Sequence, residues 1–272
     1  MGRKRKIPIE DRDKIDSLYK KLNSIPKVAH MYDVTPMSMW RYMKKHQIET
    51  RKKGIKAPTF HTIDENAFSS LNEQNEYWMG FLYADGFIVK QKIKSGTSKR
   101  FGCFLKSTDK SHIQKCLDFL NTDYQIRTKK SRGVSIIGGK EYIIKGEGVG
   151  FQITNSKIVD DLIGYGFTTH KSWSGLITDK RLLKSIHFWR GLIDGDGSIG
   201  YSRGEPIFSL IANELMVKEF HNYIYKYILY NSVYRTKYLK KKGTKSSFSM
   251  SFGSTDAYKL INHFYFDSKV FL

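Results

Sequence analysis

The sequence predicts an α+β protein in which one αββαββα module occurs twice, behind a small all-α domain. Three observations lead to this fold class. A twelve-residue segment recurs after 111 residues, the order of predicted strands and helices behind it also recurs, and the first 50 residues show only helical periodicity. The expected organisation is an all-α domain over 1–50, a basic linker over 51–73, a first module over 74–167, a second linker over 168–184 and a second module over 185–272.

The composition indicates a folded protein that binds polyanions. The 272 residues include 47 Lys and Arg against 26 Asp and Glu, a formal net charge of +21, while 40% are apolar, which is enough for a buried core. No apolar run reaches about 18 residues and no apolar segment follows the charged start, so neither a membrane-spanning helix nor a secretory signal is expected. We therefore expect an intracellular protein, in a bacterial or phage-infected cytoplasm or in an organelle. Cys103 and Cys116 are expected to be buried free thiols.

Residues 1–50 are predicted to form three helices. Apolar spacing indicates helices over 9–22 and 25–33, and Thr35 followed by Pro36 marks the start of a third helix over 36–46. The unit resembles a helix-turn-helix DNA-binding domain. The core positions that carry this resemblance are Ala29, Val34, Met39 and Met43. The resemblance implies that the third helix enters a DNA groove. The side chains expected to face DNA are Met37, Ser38, Trp40, Arg41, Lys44 and Lys45. A basic helical cap without a DNA role is the alternative.

Each module is predicted to contain four strands, with a helix after each pair. In the first module the strands are expected near 86–94, 100–107, 123–131 and 141–154, and the helices near 109–121 and 155–165. In the second module the strands are expected near 197–203, 205–212, 232–240 and 246–253, and the helices near 213–229 and 255–266.

Alternation along the strands predicts one apolar and one basic face for each sheet. Phe87, Val89 and Ile93 are expected to face the helices, as are Tyr124, Ile126 and Thr128. The side chains expected to bind DNA are Lys90, Lys92, Lys94, Gln125, Arg127 and Lys129 in the first module and Tyr201, Arg203, Arg235 and Lys237 in the second. For a single strand, the usual explanation of alternating charged and apolar side chains is a charged face that contacts only water. Its repetition over four strands in a protein this basic favours a nucleic-acid surface.

The repeated segments, YWMGFLYADGFI (77–88) and FWRGLIDGDGSI (188–199), each predict a helix that ends in Asp-Gly. Glycine is expected to end each helix in a left-handed conformation. Small residues four apart, Gly80 with Ala84 and Gly191 with Gly195, would let the two helices pack closely.

That packing would bring Asp85 and Asp196 together, each at the negative end of a helix dipole. The two carboxylates repel each other, so a divalent cation is expected between them. Magnesium fits because it takes oxygen ligands and commonly bridges to phosphate.

The segments WMGFLYADG (78–86) and WRGLIDGDG (189–197) resemble the two signature motifs of LAGLIDADG homing endonucleases, and the likeness extends over about 74–268. It implies a monomeric, pseudo-twofold enzyme that lays two saddle-shaped sheets on a long, weakly palindromic DNA site. Such an enzyme cuts both strands across the minor groove and leaves 3′ overhangs. Asp85 and Asp196 would bind Mg²⁺, with Mn²⁺ as a possible substitute. Tyr83 and Asp194 fill the preceding position, on which catalysis does not depend.

Lys106, at the end of the second predicted strand, is the candidate for a basic residue that supports the attacking water or the developing charge. Aligning FLKSTD with SLIANE places Ile211 opposite Lys106. The second half therefore uses another residue, such as Lys237 or Lys240, or the two active sites are unequal. Weaker candidates for positioning water are Gln152 and Asn155.

Three functions fit these features. The leading one is a metal-dependent, site-specific DNA endonuclease. A regulator that binds DNA without cutting it is disfavoured, because it has no reason to keep two repelling carboxylates. An RNA maturase, with intron RNA as a further partner, stays open because both duties can coexist in one protein. No membrane partner is expected.

Overall fold

A computed structural model describes residues 7–22, 24–50, 61–93, 96–137, 140–169, 175, 177–232, 236–237, 239–240, 247–269 and 271. The chain divides into two compact units, Met1–His61 and Thr62–Leu272. Lys94 and Arg235, both predicted to bind DNA, lie outside the described residues, as do residues 51–60 of the expected linker. No helix in the described part of the chain is long and apolar enough to cross a membrane.

The first unit contains three α-helices: α1 (Arg12–Leu22), α2 (Ile25–Met31) and α3 (Pro36–Lys45). Its core includes Ile15, Val28 and Met39, which are fully buried. Thr35 caps α3 as the sequence predicts, because its hydroxyl accepts a hydrogen bond from the backbone N–H of Ser38 at 3.2 Å.

The second unit contains two αββαββα repeats, which confirms the predicted element order. The first repeat consists of α4 (Glu73–Ala84), β1 (Gly86–Ile93), β2 (Gly96–Lys106), α5 (Lys110–Phe119), β3 (Arg127–Ile137), β4 (Lys140–Thr154) and α6 (Ser156–Gly164). The second consists of α7 (Ile186–Asp196), β5 (Gly197–Ser202), β6 (Glu205–Asn213), α8 (Glu214–Tyr227), β7 (Leu239–Lys240), β8 (Ser247–Gly253) and α9 (Ser254–Tyr265).

Each repeat forms one four-stranded antiparallel sheet, with strand orders β1-β2-β4-β3 and β5-β6-β8-β7. Helices cover one side of each sheet, and the apolar residues between them form one continuous core. Cys103 and Cys116 are buried free thiols, as predicted. Phe68 and Leu182, which the sequence analysis assigned to the two linkers, are fully buried in this core. The described parts of both stretches therefore include core residues.

The predicted faces of β1 are reversed. Ile88 pairs with Phe101, and both side chains are buried under the helices. Because side chains alternate along a strand, Lys90 and Lys92 belong to this helix-covered side and not to the opposite one. Lys99, which is paired with Lys90, reaches Asp160 on α6 at 2.5 Å. Phe87, Ile88 and Val89 are all apolar, so alternation alone did not reveal which of them faces the core.

The same reversal occurs in β5. Ile199 pairs with the fully buried Phe208, so Tyr201, two residues further along the strand, lies on the helix-covered side. Its side chain is nevertheless 81% exposed. Arg203 lies in the turn between β5 and β6 with a φ of 52°. The expectation that Tyr201 and Arg203 belong to the uncovered face is therefore wrong. We call the uncovered side of each sheet, opposite Ile88 or Phe208, its open face.

Candidate functional site

Helices α4 and α7 pack backbone against backbone at two glycines. A β-carbon on Gly80 would lie 2.0 Å from the carbonyl oxygen of Phe188, and one on Gly191 would lie 2.0 Å from that of Tyr77. Gly80 and Gly191 are 111 residues apart, as are Tyr77 and Phe188, so the two contacts are related by the internal repeat. No side chain larger than hydrogen fits at either position without separating the helices.

The paired helices place Asp85 beside the last turn of α7. Asp85 caps the C-terminus of α4, where its N–H bonds to the carbonyl of Phe81 at 3.0 Å. Its Oδ2 lies 3.0 Å from the point where a β-carbon on Gly195 would stand. The Asp85 carboxylate therefore lies against the residue that precedes Asp196, and both acids are exposed. Each sheet starts at the next residue, with β1 at Gly86 and β5 at Gly197.

Neither Gly86 nor Gly197 is left-handed, so that expectation is wrong. Gly197 has φ −90° and ψ 174°, and Gly86 also lacks a positive φ. Each glycine is needed for space instead. A β-carbon would lie 2.5 Å from the carbonyl oxygen of Leu82 at Gly86 and 2.4 Å from that of Ile193 at Gly197. The chain therefore passes directly from helix to strand, which fixes where each aspartate stands relative to its sheet.

The donor groups at this place suit a hard cation. Asp85 and Asp196 offer only oxygen atoms, and both stand at the negative ends of helix dipoles, where a cation is favoured. Nowhere in the described chain do three or more His, Cys, Asp or Glu side chains form a metal-binding group. Carboxylate oxygens fit Mg²⁺, which keeps several waters and also takes substrate phosphate oxygens.

A pocket of about 160 Å³ opens beside Asp196. Its lining comprises Tyr83, Ala84, Asp196, Ile211, Ala212, Asn213 and Ser247. Tyr83 donates a hydrogen bond to the carbonyl of Gly175 at 2.6 Å. Burial, together with the negative charge of Asp196, raises the pKa of Tyr83 to about 12. Tyr83 therefore stays a neutral hydrogen-bond donor and supplies no base to this pocket.

The strand register changes the expected counterpart of Lys106. Gly86 pairs with Cys103 and Gly197 pairs with Leu210. Counting three residues on from each partner makes Asn213, and not Ile211, the structural equivalent of Lys106. The β5–β6 hairpin is shorter than the β1–β2 hairpin, and this difference shifted the sequence alignment.

Asn213 is a buried amide with other partners. Its Oδ1 accepts from the N–H of Met216 at 3.0 Å and so caps α8, and its Nδ2 donates to the carbonyl of Gly175 at 2.8 Å. Lys106 is exposed. Of the other lysines considered for the second half, Lys237 is exposed, while Lys240 pairs with Phe248 on the helix-covered side. The two halves therefore differ at this position, with an exposed lysine in the first and a buried amide in the second.

Asp194 points into the protein and not toward the site. Tyr77 donates to its Oδ2 at 2.6 Å, and Tyr265 donates to its Oδ1 at 2.5 Å. Burial, followed by the charge of Asp194, raises the pKa of both tyrosines. Since Tyr77 is on α4 and Asp194 on α7, this half-buried carboxylate joins the two modules.

The open face of the first sheet is basic and aromatic. Arg127 and Lys129 lie on it, as predicted, opposite Gly150 and Gly148. Sequence reasoning missed Phe104, whose ring stacks on Phe87 with 6.2 Å between centroids and lies 5.6 Å from the Lys129 Nζ. It also missed Arg100, which bonds to Gln91 at 2.7 Å. Assigning the alternating positions of β2 to the correct faces would have identified both Phe104 and Arg100. Gln125 is exposed just before β3.

The open face of the second sheet is rich in serine. Ser198, Ser209 and Ser251 form one row across β5, β6 and β8, and Ser249 and Ser247 lie beside it. Among the described strand residues, this face has no cation and one acid, Glu205. The two open faces therefore differ in chemistry: the first carries cations and aromatic rings, and the second carries mainly serine hydroxyls.

The remaining predicted residues divide into exposed and structural ones. The six α3 side chains predicted to face DNA are all exposed: Met37, Ser38, Trp40, Arg41, Lys44 and Lys45. Lys44 Nζ lies 5.2 Å from the Trp40 ring centroid.

Gln152 is on the open face of the first sheet, opposite Gly102. Asn155 is buried and caps α6 by accepting from the N–H of Ile158 at 3.0 Å, so it does not face the site.

Comparisons with known proteins show the fold. No protein-family model and no curated protein matches the chain. A lysine-to-alanine mutant of I-SmaMI, a LAGLIDADG homing endonuclease, is similar in structure with a TM-score of 0.50 at 14% identity, over 74% of this chain and 86% of that one. The I-LtrWI LAGLIDADG homing endonuclease bound to target DNA matches with a TM-score of 0.44 at 13% identity, over 76% and 85%. At this identity the likeness to I-SmaMI establishes a shared fold.

Proposed function

We propose that this protein is a LAGLIDADG homing endonuclease, a metal-dependent enzyme that hydrolyses a phosphodiester bond in each strand of a specific DNA duplex. The observation that carries the proposal is the contact of Asp85 with Gly195, next to Asp196, at the ends of two helices joined through Gly80 and Gly191. The I-SmaMI fold supports it. Such an enzyme acts inside the cell that contains its target DNA.

Asp85 and Asp196 would hold divalent metal, Mg²⁺ or Mn²⁺, between the protein and the scissile phosphates. When bound, the metal supplies phosphate polarisation and an activated water. The exposed Lys106 would stabilise negative charge that develops on the phosphate in its half of the site. Asn213 offers no charge, so the second half depends more on the metal and on the DNA.

The two open faces would bind the two halves of a long, pseudo-palindromic site, and the cuts would leave 3′ overhangs. Arg100, Arg127 and Lys129 would bind backbone phosphates in the first half, where guanidinium and ammonium groups gain from counterion release. Because one chain carries both modules, a monomer is sufficient. The different chemistry of the faces implies that the two half-sites differ in sequence.

The first unit would act as a helix-turn-helix domain that lengthens the DNA footprint. Ser38, Trp40 and Arg41 would face the groove, with Lys44 and Lys45 on the backbone. The N-caps of both helices of this motif support the proposal, since Ser24 caps α2 by accepting from the Lys27 N–H at 3.4 Å and Thr35 caps α3.

The decisive experiment incubates the protein and Mg²⁺ with source-genome DNA, comparing the locus with and without the inserted element. We expect a double-strand cut only in the uninterrupted locus. Asp85→Asn and Asp196→Asn should bind this DNA without cutting both strands, whereas the exposed control Asp160→Asn should cut like the wild type. Binding without any cutting by the wild type would indicate the regulator instead. Splicing of the host intron, measured with and without the protein, tests maturase activity and intron RNA as a partner.

A further inference from the structure

A groove lies on the helical side of the second module, between α8 and the short helix at Leu182–Lys184. Its volume is about 430 Å³, within the range of small-ligand sites. Ile177 and Tyr223, both buried, form part of its lining. The groove therefore combines an apolar floor with enough room for a planar group.

The rim of this groove is basic. Lys180, Lys184 and Lys226 line it and are exposed, and Glu219 is the acid in its lining. None of these lysines forms an ion pair with a described residue. Three cations close to one acid attract an anion, and no partner in the described chain neutralises them.

An aromatic ring stands among these cations. Tyr227 is 41% exposed, and the Lys226 Nζ lies 5.2 Å from its ring centroid. The Tyr223 ring packs against it at a tilt of 49°, with 5.0 Å between centroids, and so restrains it. A partly exposed ring that its neighbours hold in place is a platform on which a base can stack.

The groove is separate from the proposed DNA surface. Phe220 and Ile224 of α8 are fully buried against the covered side of the second sheet, among Phe208 and Leu210. The open face is on the other side of that sheet. A ligand in the groove therefore does not compete for the strands that would contact duplex DNA.

We propose that this groove binds single-stranded nucleic acid, with a base on Tyr227 and phosphates at Lys180, Lys184 and Lys226. Lysines that follow a backbone, together with an aromatic platform, are how proteins bind single strands without strong sequence preference. An acidic peptide would satisfy the lysines but would offer nothing to stack on the exposed part of the Tyr227 ring. The observations therefore favour a nucleic acid over a protein.

The test measures binding of fluorescein-labelled 12-nucleotide single-stranded RNA and DNA to the full chain by anisotropy. Unlabelled 30-base-pair duplex is present in saturating amounts, so that the open faces are occupied. We expect single-strand binding to persist. Tyr227→Ala should weaken it by about tenfold, as loss of one stacked base does. Separately, Lys184→Glu with Lys226→Glu should also weaken it by about tenfold, because two phosphate contacts are lost. The RNA and DNA arms decide which single strand is preferred.

The matched control is Lys218→Glu with Lys259→Glu, which makes the same charge change at exposed helix positions outside the groove. It should weaken single-strand binding by less than about twofold, since screening limits distant charges. Duplex cleavage by all variants is measured in parallel, and its absence would count against the proposed function alone. Equal losses in the groove and control variants, displacement of the single strand by duplex, or binding of an acidic peptide in its place would overturn the inference.

Discussion

Lys106 and Asn213 occupy the same position in the two modules, the last residue of the second strand, but Lys106 is exposed and Asn213 is buried. The equivalence follows from the pairing of Gly86 with Cys103 and of Gly197 with Leu210. Asn213 caps α8, so it cannot turn toward a phosphate without leaving the N–H of Met216 unbonded. The two halves of the site are therefore chemically unequal.

Lys106→Ala should slow cleavage of one strand more than of the other. Loss of one charge-stabilising group typically costs about 10²–10³ in rate, and here it affects one half only. We expect a nicked intermediate to accumulate, measured on a duplex labelled separately on each strand. The control Lys110→Ala removes a nearby exposed lysine and should leave both rates unchanged. Equal slowing of both strands would contradict the assignment of Lys106 to one half.

The sequence predicted the repeat, the Thr35 cap of α3 and the identity of the central helix pair, because each depends on local patterns. Thr35 before Pro36 and small residues four apart are examples. The faces of β1 were not predictable, since Phe87, Ile88 and Val89 are all apolar and only the register with Phe101 decides among them. The faces of β5 were assigned by correspondence with β1, so the same error recurred there. The partner of Lys106 was missed because Cys103 follows Gly86 by 17 residues, whereas Leu210 follows Gly197 by 13.

Gly80→Ala should destabilise the second unit more than an ordinary surface substitution does. Its β-carbon would lie 2.0 Å from the carbonyl oxygen of Phe188, so the helices must separate. Overpacking of this kind costs about 1–3 kcal/mol, occasionally more. The free energy of urea unfolding measures the loss. At Gly200 a β-carbon meets nothing within 4 Å, so Gly200→Ala is the matched control and should lose less than about 0.5 kcal/mol. Equal stabilities of the two variants would show that α4 and α7 are not in such close contact.

Stability should fall as the pH decreases from about 6.5 to about 4. Burial lowers the pKa of His112 from 6.5 to about 4, and this side chain lies against Tyr77 and Trp78. Between these values the unfolded chain binds a proton that the folded chain does not, so the free energy of unfolding decreases as the pH falls. Urea midpoints measured from pH 7 to pH 4 test this.

His187 and His263 also have lowered pKa values through burial, so the control must isolate His112. His112→Phe removes the titrating group but keeps an aromatic ring among its neighbours. Its pH dependence over the same window should be clearly shallower than that of the wild type. An unchanged slope would mean that His112 is protonated in the folded protein.

The two open faces should respond differently to salt. Arg127→Gln with Lys129→Gln removes two cations from the first face, so the slope of log affinity against log salt should decrease by up to about 2, at roughly 0.9 per phosphate.

Ser209→Ala with Ser251→Ala should leave that slope unchanged, because hydroxyls release no counterions. It should instead alter which duplexes are selected from a randomised pool in Ca²⁺, because serine hydroxyls can bond base edges. If the serine variant changes the salt slope, or selects the same duplexes as the wild type, the second face does not read bases through these hydroxyls. The arginine and lysine variant serves as its control, since phosphate contacts position the protein without carrying sequence information.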